Sequence, residues 1–171
     1  MSKLKEIILF FFIILFSAEA SSAERQLGSV NMTFSATVKS YSCKIESIPP
    51  VSLRDWSVRS FQHTGARTSP VYFTFNMQGC PPEETISVSF SGEKMSQDGL
   101  IALDNTSTAK GVSVEIRDSG DKTVTPGTKY NANTDVRGGT KLTFSARYVS
   151  TSSMVTAGTA NASVEYTVTY Q

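Results

Sequence analysis

Histidine occurs once in this chain of 171 residues, tryptophan once and cysteine twice. The single imidazole, His63, stands among the loop residues Gln62, Thr64 and Gly65, with no acid or nucleophile motif around it to make a catalytic triad. Two thiols and one distant imidazole cannot fill a tetrahedral metal site. Charge is scarce in runs: 16 Lys plus Arg face 15 Asp plus Glu, for a net charge of +1. With no basic stretch, nucleic acid is excluded as the expected partner. There is no phosphate-cradling glycine loop. Glu83-Glu84 and the pair Asp118 and Asp121 read as turn residues before they read as acid–base carboxylates. Asn-X-Ser/Thr triplets start at Asn31, Asn105 and Asn161, as chance provides in a Ser- and Thr-rich chain. Trp56 reads as a core or edge aromatic rather than a sugar platform. No cofactor and no enzymatic activity are expected.

The longest apolar run is also short. Ile7 to Phe16 follows Lys3 and Lys5 and precedes small residues at Ala18-Glu19-Ala20 and Ser21-Ser22-Ala23. It covers about ten residues, half of the roughly 20 that span a bilayer. The pattern is that of an export signal, residues 1–23, with cleavage near Ala20 or Glu24 and no stable membrane insertion. About 150 residues remain, enough for one domain with a real core. In an exported chain, the pair Cys43 and Cys80 reads as one disulfide. Closing a loop of about 38 residues is worth roughly 4 kcal/mol in chain entropy.

What the chain does have is β-alternation. Glu24 to Gly28 is a patternless leader. Val30, Met32, Phe34, Ala36 and Val38 alternate with polar residues and predict a strand. Tyr41 to Ile48 is a short apolar segment carrying Cys43, stopped by Pro49-Pro50. Residues 51–61 are expected to be irregular or a short strand. Further strands are predicted over Val71–Met77, Ile86–Phe90, Val112–Ile116 and Leu142–Tyr148, with a short apolar piece at Leu100–Leu103. A hairpin is expected where Asp118-Ser-Gly120-Asp121 leads to Lys122-Thr-Val124, and turns at Pro126-Gly127 and Gly138-Gly139. The last ten residues place Val164, Tyr166, Val168 and Tyr170 on one face of a final strand. Short strands with turn residues between them, and no long helical pattern, predict an immunoglobulin-like β-sandwich. Their order is not readable from the sequence. A strong strand at the end of the chain is either a pinned edge or a surface for a partner. The leading strand likewise either folds back on its own domain or serves another molecule. Exchange between molecules, with the protein working by polymerising, is the preferred expectation.

The closing segment Leu142-Thr-Phe144-Ser-Ala146-Arg147-Tyr148, then Val155-Thr-Ala157-Gly158, then Tyr166-Thr-Val168-Thr-Tyr170-Gln171, resembles the carboxyl end of the chaperone–usher pilins, type 1 fimbrial branch. That family carries a penultimate tyrosine, here Tyr170, and a glycine fourteenth from the end, here Gly158. Cys43 and Cys80 match its cysteine pair, and Ala102-Leu103-Asp104 with Gly111-Val112-Ser-Val114-Glu-Ile116-Arg-Asp118 is similar to its middle section. The resemblance implies an all-β, incomplete immunoglobulin-like sandwich, residues 40–171, lacking its last strand and completed by a donor strand. It implies a donor extension over residues 24–39, with Val30, Met32, Phe34, Ala36 and Val38 filling a neighbour's groove. Gly158, Val164, Tyr166, Val168 and Tyr170 would border this subunit's own groove and meet the chaperone's strand. The implied partners are other pilus subunits, a periplasmic chaperone and an outer-membrane usher, on the route to a cell-surface fimbrium. Ala36 departs from the family's usual donor-strand glycine, and its added methyl at a tight point would re-select the neighbour. The alternative from another class is a self-contained secreted carbohydrate-binding adhesin module. A periplasmic sandwich enzyme comes third.

Overall fold

Alternation of β-branched and aromatic residues with Ser, Thr and Asn commits most of this chain to strands that bury one face. The computed structural model describes residues 35–36 and 41–170. By contacts the chain divides into Met1–Val38 and Lys39–Gln171. In the first unit Ser35 and Ala36 are irregular and exposed. The expected export signal, Gln171 and the leading-strand residues Val30, Met32, Phe34 and Val38 lie outside the described residues.

The second unit contains β1 (Lys44–Ile45), a 3₁₀ turn (Val58–Ser60), β2 (Val71–Gln78), β3 (Thr85–Ser91), β4 (Leu100–Ala102), β5 (Val112–Arg117), β6 (Tyr130–Asn133), β7 (Thr140–Ser150) and β8 (Glu165–Tyr170). Among the described residues they form a five-stranded sheet, β1-β2-β7-β5-β4, and a three-stranded sheet, β6-β3-β8. Every strand pair is antiparallel. The chain crosses between sheets, so strands far apart in sequence lie side by side: β2 pairs with β7 through Phe73 opposite Phe144 and Phe75 opposite Leu142.

The inner faces meet in an aromatic core. Phe144 stands edge-on to Phe90 at 5.0 Å, to Tyr130 at 5.5 Å and to Phe75 at 5.8 Å between ring centroids. Ile86, Val88 and Val124 beside them are fully buried. Edge-to-face pairing aligns ring edges with ring faces and adds to the burial of apolar area. Cys43 and Cys80 form the expected disulfide, fastening the entry to β1 to the end of β2.

The strand expectations hold with refinements. The hairpin after β5 forms as a short one: Asp118 N donates to the Lys122 carbonyl and Val124 N to the Ile116 carbonyl (both 2.9 Å), around a bridge between Arg117 and Thr123, before the chain crosses to the other sheet. β6, between the turns expected at Pro126-Gly127 and Gly138-Gly139, was not foreseen as a strand. It forms because Ser87 Oγ donates to Asn131 Oδ1 (2.7 Å) and Thr85 Oγ1 to Asn133 Oδ1 (3.0 Å), so the asparagines bond across to β3 instead of to their own backbone. The terminal strand starts at Glu165, so Gly158 and Val164 precede it.

Candidate functional site

The last strand fixes the site. β8 closes one edge of its sheet and is bonded to β3 alone, with Val168 opposite Val88 and Tyr166 opposite Phe90. Along its other edge no described strand pairs with it. The side chains show the same gap. Val168 is partly buried on the core, yet Tyr166, on the same face, is 44% exposed and Tyr170 58%. An inward-facing aromatic stays half exposed only where the layer that would cover it is absent. Tyr166 instead leans its ring edge-on over Phe75, at 4.9 Å between centroids.

Between β8 and residues 48–56 runs an open groove in two connected stretches. The first, about 200 Å³, is almost entirely apolar. Phe73, Phe75 and Phe90 form part of its floor with Val114, Ile116 and Ala146, and Ile48, Val51 and Leu53 rise opposite Tyr166 and Val164. The second, about 800 Å³, continues past Trp56, Phe61, Val112 and Tyr148 and carries Arg54, Asp55 and Asp104 on its rim. Val51, Leu53 and Val114 border both stretches. Trp56 Nε1 donates to the Leu53 carbonyl (2.8 Å), while its ring packs with the cluster of Phe61, Ala109 and Val112. The ring is therefore a groove wall, which accounts for the tryptophan without a sugar platform.

Gly158 sits at the far end of the second stretch. A methyl on its Cα would come within 2.4 Å of both Ala109 N and Thr108 Oγ1. The close approach lets the Thr159 carbonyl accept from Thr108 N (3.1 Å) and Ala109 N (3.0 Å), which pins this wall to the loop after β4. Of the five terminal residues singled out in the sequence, Val164, Tyr166, Val168 and Tyr170 fall on or beside β8, Tyr166 and Val164 line the apolar stretch, and Gly158 anchors the other end. Ala36 is itself in no strand. His63 is exposed, its Nδ1 3.0 Å from the Thr64 carbonyl. Among the described residues no cluster of three or more His, Cys, Asp or Glu could hold a metal ion.

Sequence reasoning passed over two parts. One is the wall at 48–61, whose irregular pattern carries no strand period. The other is Glu115 on the outer face of β5, 2% exposed at its side chain. Its carboxylate accepts from Arg147 Nε (2.8 Å), Arg117 Nη1 (3.1 Å), Arg67 Nε (3.2 Å) and Thr123 Oγ1 (2.8 Å). Burial pushes its pKa up, but the hydrogen bonds of Arg147, Thr123 and Arg67 and the charge of Arg147 outweigh this and hold it at about 2, against 4.5 for a solvated glutamate.

The family model described as "Fimbrial protein" matches residues 32–171. The chain belongs to this family. It is similar to the fimbrial-like protein FimF of Salmonella typhimurium, 32% identical over 162 residues, covering 92% of each chain. It is also similar to a type-1 fimbrial protein subunit of Serratia marcescens, 30% identical over 183 residues, covering 98% of this chain and 100% of that one. Among solved structures, a chaperone–usher pilus whose structure addresses rod uncoiling matches with a TM-score of 0.62 at 21% identity, over 86% of this chain and 98% of that one. The P pilus rod subunit PapA matches with a TM-score of 0.61 at 21% identity, over 75% and 99%. These two share the fold: the sandwich is the incomplete immunoglobulin-like kind found in pilus subunits. As a family member the chain is a structural subunit of a type 1-like fimbria, exported to the cell surface.

Proposed function

We propose that this subunit polymerises by strand exchange: its groove takes an extended segment from a neighbour, and its own leading segment fills the next subunit. The observation that carries the reading is the edge of β8 that no described strand pairs, beside an apolar trough, with Tyr166 half exposed above Phe75. An added strand would bond to the backbone of β8 and set alternate side chains onto Phe75, Phe90 and Ile116, so main-chain bonds give affinity and side-chain fit gives selectivity. Both deficits of an unfinished sandwich, open ladder groups and uncovered apolar area, are repaired by one event. The work is structural and calls for no catalytic group.

Residues 1–23 act as the export signal, 24–39 as the donor extension and 40–171 as the accepting body. Val30, Met32, Phe34, Ala36 and Val38 are the inserting side chains. Four or five of them, at roughly 1.5–3 kcal/mol each when fully buried, supply on the order of 10 kcal/mol before ordering costs. Until a neighbour arrives, a periplasmic chaperone lends its strand to Val164, Tyr166, Val168 and Tyr170, and an outer-membrane usher hosts the exchange. Where the family has a donor glycine, Ala36 selects a neighbour whose groove has room for a methyl.

The test removes residues up to Val38 and adds a synthetic peptide of residues 29–39. The truncated body is expected to melt low alone and to gain roughly 10 °C or more with the peptide. A secreted chain that is a stable monomer, and whose truncated body ignores added strands, overturns the reading.

A further inference from the structure

The two walls of the groove are built differently. β8 is already a strand, its backbone extended and its outer edge ready to bond. Residues 49–56 opposite it lie in no strand, and their backbone makes no backbone–backbone hydrogen bond with any described residue. Within this wall Arg54 has φ 66°, in the left-handed region. That region crowds Cβ against the following carbonyl for any residue but glycine, and short Asn or Asp side chains ease the crowding while Arg does not. The Arg54 side chain is exposed and makes no hydrogen bond or ion pair among the described residues that would hold it there. What holds the turn is the bond from Trp56 Nε1 to the Leu53 carbonyl, which brackets Arg54.

The turn has a consequence for facing. In an extended segment Leu53 and Trp56, three apart, point to opposite faces because side chains alternate with period two. The left-handed residue between them breaks the period, so that Leu53, which borders both stretches, and Trp56, which lines the wider one, both face the groove. The empty groove is thus partly occupied by its own wall.

We infer that Arg54 is the hinge of a movable groove wall: residues 49–56 fold inward as a turn when the groove is empty, and straighten into a strand when an extended segment is taken up. This rests on the groove being the strand-accepting site. Straightening moves Arg54 to an ordinary extended φ, releases the Leu53 carbonyl from Trp56 and lines up the 51–56 backbone to bond to the incoming segment, and carries Trp56 off the face that holds Leu53. The wall then discriminates among incoming segments, since only one able to pair along it recovers the lost Leu53–Trp56 turn.

Trp56 is the sole tryptophan, so its emission reports the wall alone. The secreted chain is titrated with the peptide of residues 29–39, following emission and binding together, in wild type and in Arg54→Gly, Arg54→Val and Arg54→Lys. The peptide is expected to shift wild-type emission to longer wavelength as the indole leaves its cluster. Glycine tolerates the left-handed turn and favours the empty form, so Arg54→Gly should bind the peptide about fivefold more weakly. Valine resists the turn and favours the strand, so Arg54→Val should bind about fivefold more tightly. Arg54→Lys should match wild type. Opposite effects of Gly and Val support the hinge. If the peptide binds wild type but emission is unmoved or shifts to shorter wavelength, or if Gly and Val change affinity alike or not at all, the hinge is overturned and strand acceptance stands. If neither this peptide nor the same peptide with Ala36→Gly binds wild type, both fall.

Discussion

Neighbouring residues of β5 face two opposite worlds. Glu115 points outward into a sealed knot of Arg67, Arg117, Arg147 and Thr123, all four within 3.2 Å of its carboxylate. Val114 and Ile116 point the other way, into the floor of a groove left open. One face is satisfied to the last atom: among the described residues no buried side-chain nitrogen or oxygen lacks a partner. On the other, no described strand covers the apolar surface or the edge of β8. The difference teaches where an unfinished sandwich keeps its order. A body that must hold a vacant trough in shape while awaiting a strand takes its rigidity from the opposite face, where buried charge is fully paired.

The largest way to break this contrast is to cut the disulfide. Cys43–Cys80 anchors β1, from which the wall at 48–56 departs, to β2 on the groove floor. Replacing both cysteines by serine should cost about 4 kcal/mol in denaturant unfolding, by releasing the loop-closure constraint. It should also weaken strand uptake, since the wall loses its root. Retention of full stability would show that the strand pairs alone hold the wall.

Next comes the sealed face. Glu115→Gln leaves three guanidiniums, two of them about 15% exposed, without their shared anion. Breaking such a set from one side is expected to cost about 3 kcal/mol. Acid probes the same group without mutation. Its folded pKa, about 2, lies below the unfolded 4.5, so the stabilisation is complete above about pH 4.5 and is lost as pH falls toward 2. The span corresponds to roughly 3 kcal/mol, and Glu115→Gln should flatten that part of the stability–pH curve. An unchanged curve in the variant would assign the acid sensitivity elsewhere.

Gly158→Ala is smaller and more local. The added methyl meets the backbone of residues 108–109, which cannot swing aside as a side-chain tip can, and a cost of about 2 kcal/mol is expected. Because the displaced segment is the groove's far end, peptide uptake should fall alongside the melting temperature. Loss of stability with uptake intact would limit the glycine to a packing role.

The contrast also explains what could be read from residues alone. Strong alternation at Val71–Met77, Ile86–Phe90, Val112–Ile116 and Leu142–Tyr148 gave strands in the right places, because each buries one full face. The terminal strand was legible for the same reason, though its half-exposed Tyr166 could only be seen once β3 and the empty side were both in view. Glu115 was not legible. Its place on the polar phase of β5 looks like solvent, and only the sheet order β2-β7-β5, with Arg67 bridging to Val149, lowers three arginines onto it. The irregular course of 51–61 was legible, but its role as a groove wall was not: with no partner strand to enforce a period, its sequence obeys none.

The smallest effect on the body separates the two faces most cleanly. Tyr166 is half exposed and touches the core through one edge-on contact with Phe75, so Tyr166→Ser should lower the stability of the empty body by about 1 kcal/mol or less. Once a strand lies in the groove the same ring is enclosed on both sides, between Phe75 and the incoming side chains. Its loss should then weaken peptide 29–39 about tenfold, the equivalent of about 1.4 kcal/mol gained only on insertion. A residue whose removal barely registers in unfolding but registers strongly in titration is one kept for the partner. Equal losses in both measurements would instead make Tyr166 ordinary core, and the groove beside it shallower than its exposed ring implies.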